Sequence, residues 1–141
     1  MRAEFNAFVA RLRAHPQLAN KTDTVVRLTA GGEAVRANYI VAFPAIPDDL
    51  GDKRYLALQS IESNRFLSFD VRVVAVDADG VLMLTEAVME QTIRHVLEVP
   101  GRRCDPIKMA TDAVEEGTVK FDKAARLYYV DLSLEFWSRR P

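Results

Sequence analysis

Residues 127–137 read LYYVDLSLEFW. Tyr128, Val130, Leu132, Leu134 and Phe136 alternate with Tyr129, Asp131, Ser133, Glu135 and Trp137. Side chains of an extended chain point to opposite faces with a period of two, so this is a strand with one wholly apolar face. Its second face mixes polar groups with Tyr129 and Trp137, residue types favoured where a partner covers a surface.

Working outward, a second run of the same period lies at Phe66–Asp77, with Phe69, Val71, Val73 and Ala75 on one side and Asp70 and Arg72 on the other. Asp77-Ala78-Asp79-Gly80 breaks it, and the spacing predicts a helix over 81–99. Its main apolar stripe is Leu82, Met89, Ile93, Val96 and Leu97, with Val81, Leu84 and Val88 beside it, and Pro100-Gly101 stops it. Phe5, Phe8, Val9 and Leu12 mark an opening helix over 3–14, ended by His15-Pro16. Gly31-Gly32 is a turn before a strand over 35–43, whose residues Val35, Ala37, Tyr39, Val41 and Phe43 share a side. Residues 44–54 form a long loop, 55–60 a strand, 107–111 a strand, 114–117 a turn and 119–122 a short strand. Strands joined by tight turns, with two amphipathic helices, give one α+β domain over 1–141: a mainly antiparallel sheet with both helices packed on one face.

Composition excludes several classes. The 141 residues are 49% hydrophobic and 28% charged, enough for a core and far from a disordered or disulfide-built chain. The single cysteine, Cys104, forms no internal disulfide and fits a reducing cytoplasm. A net charge of −1 gives no footprint for nucleic acid or an anionic membrane. It is unevenly spread: residues 1–40 sum to +3, residues 41–100 to −5 and residues 101–141 to +1. No stretch reaches the length of a membrane span or a signal peptide, so the expectation is a soluble protein made without export.

Sites of chemistry are weak. Asp77, Asp79 and Gly80 begin like a calcium loop, but the twelfth position is Val88 and not glutamate. The expected role is a helix start that Asp79 caps or charges. Cys104 with His95 lacks a third group to orient the base, and two histidines do not supply a zinc site. Asp48-Asp49 and Glu115-Glu116 are loop carboxylates, and Arg102-Arg103 and Arg139-Arg140 are too short for a nucleic-acid face. Neither a catalytic site, a cofactor nor a metal is expected.

The order of these pieces resembles the tail terminator (tail completion) proteins of long-tailed bacteriophages. The pieces are the opening helix EFNAFVARLRAHP, the strand VRANYIVAFPAIP with its proline-rich loop, the unit FLSFDVRVVAVDADGVLMLTEAVMEQTIRHVL and the closing GTVKFDKAARLYYVDLSLEFW. The resemblance implies a structural virion protein without enzymatic activity. It would form a hexameric ring of itself that caps the tail tube, stops its polymerisation and joins the head-completion (stopper) protein. DNA would pass through the lumen as cargo, with no membrane involved. The place implied is the head–tail junction of the virion, after assembly in the host cytoplasm. Loops carry function on rigid scaffolds, so the interface residues expected are Asp48, Asp49 and Lys53, then Glu115, Glu116 and Lys120, then Arg102 and Arg103. The alternatives are another head–tail connector or a tube subunit, a small metal-dependent hydrolase around Asp77, Asp79 or Cys104, and a ligand-binding module.

Overall fold

The computed structural model describes residues 2–33, 35–45, 64–110 and 118–140. In chain order the elements are α1 (Arg2–Arg13), β1 (Thr22–Asp23), β2 (Tyr39–Ala45), β3 (Arg65–Ala75), α2 (Ala78–Thr92), β4 (Arg103–Cys104), β5 (Lys108–Met109), β6 (Lys120–Asp122) and β7 (Leu127–Arg139). The strand expected at 55–60, the turn at 114–117 and most of the loop at 44–54 lie outside the described residues.

β7 is the spine of the sheet. On one side it pairs antiparallel with β3 along its length, from Arg65 opposite Ser138 to Ala75 opposite Tyr128. Its other edge takes three short strands in turn: β6 near its start, β5 in the middle and β4 at its end. Between β4 and β5 the register against β7 slips by one residue, a bulge that lets a bent chain follow a long straight neighbour. β2 pairs antiparallel with β3, and two residues of β1 add a parallel partner to β2. The sheet is therefore mixed through that one short pairing and antiparallel elsewhere. On the outer edge of β2, Ile40 donates its N–H to Lys21 at 2.8 Å. Alternation puts the nitrogen of Pro44 on that same edge, where a missing donor costs no bond to β3 and blunts further pairing.

Both helices lie on one face. Leu67, Phe69, Val71, Val73 and Ala75 of β3 are fully buried there, with Val130, Leu132, Leu134 and Phe136 of β7 and Ile40 and Ala42 of β2. Phe69 is the centre: its ring meets Phe5 at 5.2 Å, Phe8 at 5.1 Å and Phe136 at 5.6 Å, mostly edge-on as aromatic quadrupoles prefer. A smaller cluster of Tyr39, Val41, Val74 and Leu127 sits on the opposite face. The side of β2 expected to be apolar thus packs in this minor cluster, and its other side completes the main core.

Four expectations need correction. First, β2 begins at Tyr39 and not at residue 35, because the preceding chain is folded on itself: Thr29 donates to Glu33 at 2.7 Å and Val35 to Arg27 at 3.1 Å, around Gly32 at φ +83°. Second, of the two roles expected of Asp79, the cap falls to Asp77, which accepts from the Gly80 N–H at 2.6 Å, while Asp79 supplies negative charge in the first turn of α2. Third, α2 stops at Thr92, well before Pro100. Arg94 takes a left-handed φ of 67° and donates to Ile107 at 2.9 Å, while Ile107 donates to His95 at 3.0 Å. These cross-chain bonds take up the backbone groups that another helical turn would need. Fourth, α2 buries Val81, Leu84, Ala87, Val88 and Thr92, while Leu82 and Met89 face solvent.

Gly80 explains how closely α2 starts on the sheet. A methyl there would sit 2.8 Å from Asp77 Oδ1 and 3.0 Å from both the Ala75 side chain and Asn38 Nδ2. Asn38 accepts from the Val76 N–H at 3.0 Å, so β2, β3 and the head of α2 are pinned at one point.

Candidate functional site

Three surfaces or clusters carry unusual side chains. The first is a polar knot where α1, β3, β4 and β7 meet. Glu4 is 1% exposed on the first turn of α1, because the strong apolar positions of that helix bring this face onto the sheet. Ser138 donates to Glu4 Oε1 at 3.0 Å, and Arg102 donates to Ser138 Oγ at 2.9 Å and to its carbonyl at 2.7 Å. Arg102 and Arg65 also lie 3.8 and 3.6 Å from Glu4 Oε1. Burial alone would push the Glu4 carboxyl up; hydrogen bonds, among them the one from Ser138, outweigh it and hold the group below the usual carboxylate range. Ser138 is fully buried, so this knot is a tether between chain segments and not a site a substrate can enter.

Cys104 lies at the same end. It is 5% exposed, and burial pushes its thiol up, away from the thiolate a nucleophile needs. His95 is engaged elsewhere, with Nε2 3.0 Å from the Glu90 carbonyl. Among the described residues, no group of three or more His, Cys, Asp or Glu is placed to hold a metal ion.

The second surface is the sheet face away from the helices. Its polar groups are paired across strands: Arg72 reaches Asp131 through two bonds of 2.7 and 3.0 Å and lies over the Tyr129 ring, and Ser68 meets Ser133 at 3.1 Å. The Asp131 bond raises the Arg72 pKa further. At its far end Trp137, 39% exposed, packs on Phe66 at 5.1 Å under the guanidinium of Arg139. Arg139 in turn grips Asp105 at 2.8 Å, and that bond lowers the Asp105 pKa. The face mixes aromatics and ion pairs, as the alternation in β7 required.

The third is the outer side of α2. Leu82 is 55% exposed, and Met83 and Met89 are each 41% exposed. Interleaved with them are Asp79, Glu86 and Glu90, and α2 holds no cation. A soluble helix normally keeps one apolar stripe; this one has a second. Leu82 and Met89, expected in the core, have a spacing that fits a helix stripe equally well. The usable signal was the excess of apolar positions, too many for one face of a single helix.

Of the expected interface residues, Asp48, Asp49, Lys53, Glu115 and Glu116 lie outside the described residues. Arg102 is turned into the polar knot, with 12% of its side chain exposed. Arg103, its neighbour, is exposed on β4. Lys120 is exposed on β6, opposite Tyr129. The structure therefore turns Arg102 inward and leaves Arg103 and Lys120 near opposite ends of β7.

The fold is similar to that of a solved chain from the virion of a native gene transfer agent particle. The TM-score is 0.63, with 93% of this chain and 90% of that chain covered at 13% sequence identity. At that identity the likeness is one of fold. No protein family and no curated protein matches the sequence.

Proposed function

We propose that this chain is a structural protein of a phage-like virion, the subunit of a ring that terminates the tail tube. The observation that carries the reading is the likeness of fold to a virion chain over nearly the whole length of both, together with the order of sequence pieces described above. In this reading the protein catalyses nothing. Six copies close head to tail, one face of the ring docks on the last layer of tube protein, and the other receives the head-completion protein. Growth stops because that second face no longer matches a tube subunit, a mismatch built into the surface. DNA crosses the lumen at the head–tail junction without being bound, in keeping with a net charge of −1.

A closed ring requires two different patches on each copy that fit one another, since a self-matching patch yields only a dimer. It also requires a body rigid enough to fix the angle between copies. The sheet supplies that rigidity, with β3 and β7 paired over eleven residues.

The test is the absolute mass of the purified protein across a range of concentrations, with negative-stain images of the same samples, alone and with tail tubes. Closed rings, alone or on tube ends that then stop growing, are expected. Open filaments would move the assignment to a tube subunit. A monomer that neither closes nor caps tubes would overturn the reading.

A further inference from the structure

α1 and α2 touch along one flank each. Arg11 Nε donates to the Gln91 carbonyl at 3.0 Å, Gln91 Nε2 donates to the Arg11 carbonyl at 2.7 Å, and His15 lies 3.6 Å from Glu90. At 100° per residue, Leu82 and Met89 stand about 160–180° round α2 from Gln91. By the same count, Arg2, Asn6, Val9 and Arg13 stand about 160–220° round α1 from Arg11. The two helices thus present their far flanks in opposite directions across the helix layer.

Those flanks are complementary. On the α1 side lies an open groove of about 580 Å³ lined by Phe5, Asn6, Val9, Ala10, Arg13 and Thr24, among others. Val25 and Val26, which follow Thr24 in the chain, are 69% and 46% exposed. Arg2 and Arg13 give this flank positive charge, whereas the exposed side of α2 bears Asp79 and Glu86 around Leu82, Met83 and Met89. One flank is a ridge that is apolar and acidic; the other is a recess that is apolar and basic.

We propose that the occupant of the α1 groove is a second copy of this chain, seated through the Leu82–Met89 ridge of α2. The contact joins two different patches that face opposite ways, the arrangement from which head-to-tail rings or filaments are built. Charge complementarity sets the polarity of the contact, and the exposed leucine, methionines and valines supply the apolar area. The inference rests on the ring reading above and names its interface.

Three full-length variants test it, treated with a short bis-maleimide that reacts with exposed thiols; buried Cys104 in the parent is the control. Leu82→Cys together with Ala10→Cys in one chain is expected to give a ladder of covalent oligomers. Either cysteine alone is expected to give none. A covalent dimer from Leu82→Cys alone would mean a symmetric contact and overturn the proposal. Rings by mass without any ladder would overturn this pairing and leave the ring reading intact. A ladder of open filaments would keep the pairing and overturn the ring. In parallel, Leu82→Glu is expected to raise the protein concentration needed for assembly at least about tenfold, with an unchanged circular dichroism spectrum. An unchanged assembly concentration would overturn the proposal.

Discussion

The polar knot at Glu4 and the outer side of α2 break the same rule in opposite directions. At the knot a carboxylate is 1% exposed, and on α2 a leucine is 55% exposed. The buried charge is matched inside its own chain: Ser138, Arg102 and Arg65 surround it, and α1 is thereby tied to the far end of β7. The exposed leucine and methionines have no such match among the described residues. A buried ionic group that is fully surrounded fixes a unique arrangement of segments, whereas an apolar ridge left in water favours association. The first region makes one copy rigid, and the second gives it a reason to meet another.

The largest way to break this contrast is Glu4→Ala. It removes the carboxylate that Arg65, Arg102 and Ser138 share and should cost about 3 kcal/mol, read as a lower urea midpoint. The two sides of α2 come next. Gly80→Ala, on the inner side, forces a methyl against Asp77, Ala75 and Asn38 and should cost about 1–2 kcal/mol in the same assay. Met83→Ala, on the outer side, should stay within about 0.5 kcal/mol.

Acid sharpens the knot further. The folded Glu4 carboxyl is held below its ordinary value, so the stability it contributes is fully present above the usual carboxylate range. That contribution is lost as pH falls through the lowered folded value. The gap in unfolding free energy between the parent and Glu4→Gln should therefore be widest near neutrality and narrow on acidification, which denaturant titrations at several pH values will read. The smallest effect on stability belongs to Leu82→Ser, which should leave the monomer within about 0.5 kcal/mol of the parent. If it instead unfolds the monomer, the outer side of α2 is part of the core and the contrast fails.

How legible this was in the sequence varies by element. β3 and β7 were legible to within two residues at each end, since a period of two over more than ten residues admits one structure. The hairpin of β6 and β7 was also placed correctly, with Asp122 accepting from the N–H groups of Ala124 and Ala125 in its turn. α1 was found from four apolar residues. The end of α2 was not, because Ile93, Val96 and Leu97 continue a helical spacing, and what stops the helix is Ile107, distant in sequence. Arg102 read as a surface charge beside Arg103; its role depends on Glu4, ninety-eight positions away in the chain.

By itself the sequence determined the α+β class, the two long central strands, the opening helix and a core rich in aliphatic and aromatic side chains. It did so because alternation and helical spacing are local properties, set by where neighbouring side chains point. The tertiary structure alone decided which of two apolar stripes on α2 faces the sheet, where that helix stops, and that Glu4, Arg65, Arg102 and Ser138 meet. Each of those outcomes depends on contacts between residues far apart in the chain, and a local pattern carries no information about what will lie across from it.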